Sequence, residues 1–189
     1  LHLCHHNLEN ISDYNSNARH NLLVDVCMAA KYEGNSIDTH YTIYKVTNEG
    51  TASQLCTVLA RSFADIGDIV RGRDLYLGNP EEIEQRKQLE NKLKVIFGKI
   101  HKEVTNGKNR LALQARYNGD KENYYKLRED WWYANRGTVW KAITCKANDD
   151  AKYFRKTACN GGKTPTEGNC RCKTNDVPTY FDYVPQFLR

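Results

Sequence analysis

One stretch limits the possible folds more than any other. From Ser53 to Gly72, Leu55, Val58, Leu59, Ser62, Phe63, Ile66, Ile69 and Val70 recur at steps of three and four residues. That period predicts an α-helix with one apolar face, which must be buried against other elements. Further stretches repeat the pattern. Leu22, Leu23, Val26, Cys27 and Ala30 predict a helix over 17–32, with Ser16 or Asn17 as its cap. Asn79-Pro80-Glu81-Glu82 supplies a cap, a proline at the first helical position and acids in the first turn. The helix it opens should run to about Val104 along Leu89, Leu93, Ile96, Phe97 and Ile100, and Asn106-Gly107 should end it. A second long helical region spans 121–145, with Tyr124, Leu127, Trp131, Trp132, Val139, Trp140 and Ile143 as bulky members and Arg136-Gly137 as a candidate kink site. The fold class expected is mainly α, a helical bundle of long helices with disulfide-pinned loops.

The segments between are read as loops. Residues 1–16 show no sustained period, and 33–52 carry Gly34, Asn35, Asn48 and Gly50 around a short extended piece. After Asn148, Gly161-Gly162, Pro165, Gly168 and three cysteines within 14 residues read as a pinned loop. Residues 176–189 read as the start of a further helix. The chain thus divides into three regions: 1–52, loop-rich with one helix; 53–148, the helical bundle; and 149–189, the cysteine-containing loop and the start of that last helix.

Seven cysteines in 189 residues suggest an oxidising, extracellular setting. If six pair, spacing leaves 105 frameworks open, since the leftover thiol can be chosen 7 ways and the rest paired 15 ways. The odd count, and a first residue that is leucine, suggest a segment of a larger protein. With a mean hydropathy of −0.76, no run approaches the roughly 20 apolar residues of a membrane span.

Signatures of catalysis are missing: there is no G-x-S-x-G, P-loop, H-E-x-x-H or dinucleotide fingerprint. Asp65 and Asp68 lie one turn apart, but Arg61 and Arg71 at neighbouring positions make ion pairing within the helix the simpler account. No enzyme and no cofactor are expected. Cys4-His5-His6 and the Cys159, Cys170, Cys172 group fit zinc spacing poorly, so disulfides are preferred over a metal. Asn10-Ile11-Ser12 is a glycosylation sequon, and such short matches arise often by chance.

Charge is distributed unevenly beneath a net +5. Residues 86–116 hold nine Lys/Arg against Glu90 and Glu103, and residues 152–174 hold six against Glu167. Clustered positive charge attracts polyanions such as sulfated glycans, nucleic acid or anionic lipid. Nucleic acid is disfavoured by the extracellular setting and by the lack of an aromatic-interleaved basic motif. The candidate glycan-binding residues are Lys92, Lys94, Lys99, Lys102, Lys108 and Arg110.

Long motifs carry a family likeness. The run Ala60 to Tyr76 (ARSFADIGDIVRGRDLY), then Leu127 to Trp132, Val139 to Cys145, Cys170-Arg171-Cys172 and Pro178 to Arg189 resemble the Duffy-binding-like domains. The likeness is to the alpha class at the head of the variant erythrocyte membrane protein adhesins of malaria parasites. It implies the later part of a first subdomain in 1–52, a second in 53–148 and the opening of a third in 149–189, an incomplete Duffy-binding-like fold. It implies an adhesion module on the infected red cell surface, attached through an anchor outside this chain. Partners would be erythrocyte or endothelial receptors, heparan sulfate-type glycans, blood-group sugars and antibodies. The alternative role is an antigenically variable spacer supporting a neighbouring binding domain. By the same resemblance Cys56 and Cys145 would form a disulfide between antiparallel helices, and Cys4 would pair with a cysteine upstream.

Overall fold

A computed structural model describes residues 17–47, 55–75, 78–107 and 110–189, with side chains outside 42–47. The Cys4-His5-His6 group, the Asn10 sequon and Lys108 lie outside the described residues. Five α-helices account for most of what is described: α1 (Ala18–Thr47), α2 (Leu55–Arg71), α3 (Pro80–Thr105), α4 (Arg110–Arg116) and α5 (Tyr125–Ile143). Among the described residues there is no strand, only isolated bridges at Cys159–Thr164 and Gly168–Arg171. The chain is mainly helical, as its periodicity requires.

The apolar stripe of α2 is buried along its length, with Leu59, Phe63, Ile66 and Val70 at 1% exposure or less. Val58 alone of the predicted stripe stays partly in solvent. Phe63 packs against Trp132 and Trp140, with ring centroids 5.1 and 5.2 Å away. Adjacent tryptophans point about 100° apart on a helix, yet both rings are buried, because α2 covers Trp132 while Phe97 of α3 meets Trp131 edge-on at 6.1 Å. Along α2, Phe63, Gly67 and Gly72 meet Trp140, Trp132 and Arg128 in turn, so α2 and α5 run antiparallel. α5 is continuous from Tyr125 to Ile143, and Gly137 does not interrupt it.

Three expectations from the sequence need correction. First, α1 continues through 33–47, where a loop was expected. Gly34 is a packing residue, not a breaker: a Cβ there would sit 1.9 Å from the Ile143 carbonyl oxygen, so only glycine lets α1 approach the end of α5. Second, 176–189 form two 3-10 turns, Phe181–Tyr183 and Gln186–Leu188, with no α-helix. Val184 is extended (φ −89°, ψ 131°) before Pro185, which breaks any helix there, and contacts from Asp182, Gln186 and Arg189 hold the strap.

Third, the pairing of Cys56 with Cys145 is overturned. Cys56 bonds Cys170, and Cys159 bonds Cys172. Antiparallel packing does bring the start of α2 level with the end of α5, but level alone does not decide a disulfide. Cys145 falls beyond α5, is exposed, and directs its Sγ toward Asn35 of α1 at 3.9 Å. Cys170 is instead carried inward by its loop, where its backbone accepts a hydrogen bond from Trp140 Nε1 at 3.1 Å and donates one to the Ala151 carbonyl. Cys145 and the half-buried Cys27 are free thiols.

Charged side chains join these elements. Arg128 is fully buried, donates to the terminal carbonyls of α2 at Ile69 (3.1 Å) and Val70 (2.6 Å), and holds both oxygens of Glu90 at 2.8 Å. It therefore caps α2 and ties α3 to α5 through one guanidinium. Asp182 of the strap is the second hub. It accepts from Arg136 at 2.7 and 2.8 Å and from Trp132 Nε1 at 2.9 Å, while its backbone carbonyl accepts from Arg71. Asp68 pairs with Arg71 within α2 as expected, at 2.9 Å, but Asp65 turns to Arg189 of the strap at 3.6 Å.

Candidate functional site

The site is built on α3. Asn79 and Glu82 form a reciprocal capping box, and Pro80 follows the cap, so the helix begins where the sequence indicated. Leu89, Leu93, Ile96, Phe97 and Ile100 are buried on one face. At 100° per residue, Lys92, Lys94, Lys99 and Lys102 fall within a sector of about 160° opposite that seam. They belong to one surface and are not split between two.

Three of them converge with residues that the sequence reading did not connect with the basic stretch. Lys94, Lys99 and Lys102 line a shallow groove of about 340 Å³ together with Val95, Gly98, Lys121, Glu122 and Tyr124. Tyr124 adopts a left-handed backbone (φ 54°) at the N-terminus of α5, and its hydroxyl lies 3.2 Å from where a Cβ on Gly98 would stand. His101 packs against the same ring at 5.5 Å. Lys121 and Tyr124 lie far along the chain from α3, outside the basic stretch, so local charge counting could not find them.

Both acids of the stretch face other elements. Glu90 is engaged by Arg128, and the Glu103 carboxylate accepts from the backbone N–H of Ala18 at the start of α1 (3.0 Å). Within the groove, four lysines face one carboxylate, Glu122, a local balance of +3. Lys94 lies 4.0 Å from Glu90, at the limit of an ion pair. The groove can therefore attract an anionic chain and offers an aromatic surface beside the cations.

The remaining basic residues divide differently. Arg86 pairs with Asp74, and Arg116 makes a two-point bond to Asp130 at 2.6 Å, so both are used in the framework. That bond, with a further one from Tyr117 at 2.9 Å, holds the Asp130 carboxyl below its ordinary range. Burial and the same carboxylate push the Tyr117 hydroxyl up. Arg110 opens the short, exposed α4, outside the groove lining. Lys92 is exposed beside the groove.

Other candidates resolve into structure. The cysteines that could have served as zinc ligands, Cys159, Cys170 and Cys172, are all disulfide-bonded. Among the described residues no cluster of three His, Cys, Asp or Glu could hold a metal. Burial raises the Asp65 carboxyl to about 6, with Arg189 opposing the shift and Asp68 adding to it. No helix among the described residues is long and apolar enough to cross a membrane.

Comparison with known proteins agrees with this architecture. The family model of the Duffy binding domain matches residues 1–189. The NTS-DBL1-alpha and CIDR-gamma double domain of PfEMP1 from the Plasmodium falciparum varO strain is 44% identical, with a TM-score of 0.79 over 99% of this chain and 25% of that one. The NTS-DBL1(alpha-1) domain from the same strain is 43% identical, with a TM-score of 0.78 over 99% of this chain and 40% of that one. The PfEMP1 IT4var13 DBLbeta domain, solved bound to ICAM-1, is 32% identical, with a TM-score of 0.67 over 99% of this chain and 40% of that one. The chain thus spans a quarter to two fifths of these solved chains, and no curated protein matches it. Helical content, disulfide-pinned loop and sequence motifs agree with these findings: the chain belongs to the Duffy binding domain family, among the Duffy-binding-like domains of the PfEMP1 kind.

Proposed function

We propose that this chain is part of an extracellular adhesion module that binds sulfated, heparan sulfate-type glycans on host cells through the lysine groove of α3. The observation that carries the reading is the convergence of Lys94, Lys99, Lys102 and Lys121 beside Tyr124 in one groove, with Glu90 and Glu103 engaged by Arg128 and the Ala18 backbone. A sulfated chain presents repeating anions to such a row, and no deep pocket is needed to hold it. Lys92 and Arg110 extend the basic surface, and Lys108 follows α3 in sequence. Display on the infected red cell, with rosetting or cytoadherence as the outcome, is the biological setting in which this module would act. One relative, the PfEMP1 IT4var13 DBLbeta domain, was solved bound to ICAM-1, which supports a receptor-binding role.

Heparin-affinity chromatography of the chain tests the assignment. The wild type should elute well above physiological salt, and the triple variant Lys94→Glu, Lys99→Glu, Lys102→Glu at or below it. These side chains are exposed or half-exposed, so the fold should survive, and circular dichroism would check that. Unchanged elution of the triple variant would refute the groove. Elution of the wild type near physiological salt or below would favour a spacer role.

A further inference from the structure

A cavity of about 700 Å³ lies away from α3, between the disulfide-closed loop and the strap. Tyr153 and Pro178 belong to its buried lining, and Phe154 and Tyr180 flank it with 57% and 69% of their surfaces exposed. Such exposure of two aromatic side chains beside a cavity is a recurrent feature of contact sites. The framework is fixed: Cys159–Cys172 closes the loop, Tyr153 bonds Thr179 across the floor at 3.2 Å, and Asp176 accepts from the Asn160 backbone at 2.8 Å. Arg136, also part of the lining, is buried and neutralised by Asp182.

Charge at the rim is different. Arg155 lines the cavity, and Lys152, Lys156 and Lys163 adjoin its lining residues in sequence; all four are exposed and form no ion pair among the described residues. The lining combines rings and aliphatic groups with Arg136, Arg155, Asp176 and two threonines, and the stretch 152–174, which supplies part of it, carries six Lys/Arg against Glu167. A sulfated glycan would need several cations converging inside, where only Arg155 is available. A ring-bearing side chain set among carboxylates matches both the interior and the rim.

We propose that this cavity docks an acidic segment of a partner protein, whose aromatic side chain enters between Phe154 and Tyr180 while its carboxylates meet Arg155 and the neighbouring lysines. The site shares no residue with the α3 groove, so either can fail without the other.

Fluorescence anisotropy provides the test, with a labelled seven-residue peptide of Glu and Asp around a central tryptophan. The wild-type chain should bind it at least tenfold more tightly than the same peptide with alanine at the centre. Phe154→Ala and, separately, Arg155→Glu should each weaken binding about tenfold, while Lys99→Glu with Lys102→Glu should leave it unchanged. Both cavity substitutions replace exposed side chains, so a shared loss through unfolding is not expected, and circular dichroism would expose one. Absence of binding, equal affinity for the two peptides, or indifference to both cavity variants would overturn the proposal. So would a heparin hexasaccharide whose binding required Phe154, which would make the cavity a glycan site.

Discussion

Gly34 illustrates how a single residue carries two messages of opposite sense. In sequence it marks the end of a helix; in the structure it is the point where α1 touches α5. Gly34→Ala should lower stability to urea, because overpacking against a backbone carbonyl costs about 1–3 kcal/mol. That outweighs the roughly 1 kcal/mol of helix propensity that alanine restores. An equal or raised urea midpoint would show that α1 can shift away without loss. The two described free thiols should also differ. Burial pushes the Cys27 thiol up to about 11, while Cys145 is exposed. Iodoacetamide at pH 8 should therefore alkylate Cys145 well before Cys27, as peptide mass spectrometry would record. Spacing could not have distinguished these cysteines, since reactivity depends on which neighbours the fold brings to each sulfur.

At the scale of elements, periodicity located α2, α3 and α5, because each has a long apolar seam that only burial explains. It missed the second half of α1, where glycine and asparagine resemble loop residues. It also missed the strap, read as the start of a helix, where Val184 is extended before Pro185. Arg128 is the joint between elements, and Arg128→Met should cost about 3 kcal/mol by uncapping α2 and releasing Glu90. Thermal or urea unfolding would measure it, and a loss under 1 kcal/mol would refute the capping role. The α2–strap contact should respond to pH in an unusual sense. Asp65 faces Asp68 on its own helix, Arg189 from the strap, Asp74 from the following loop and Arg86 from α3. Its carboxyl is raised from 3.8 to about 6, so the folded state binds the proton more readily than the unfolded chain does. Ionised Asp65 therefore weakens the fold above pH 6, and that cost fades as pH falls toward 3.8. Asp65→Asn should be more stable than wild type at pH 7 and equal to it near pH 4. Unfolding curves across that range that stay parallel would contradict this.

For the whole molecule, the disulfide from Cys56 to Cys170 spans 114 residues and fastens the loop after α5 to the start of α2. Replacing both cysteines with serine should cost about 2–5 kcal/mol, mostly by freeing the unfolded chain. Motifs made the family and the helical class legible in the sequence, and charge counting found most of the basic surface. The groove itself was hidden, because Lys121 and Tyr124 reach α3 only after the turn through α4. Amide chemical-shift mapping with a heparin hexasaccharide tests that groove most directly. Shifts should concentrate at Lys94, Val95, Lys99, Lys102 and Lys121 to Tyr124 and should vanish in the triple lysine variant. Shifts confined to residues 152–163, or none at saturating ligand, would contradict the groove as the glycan site.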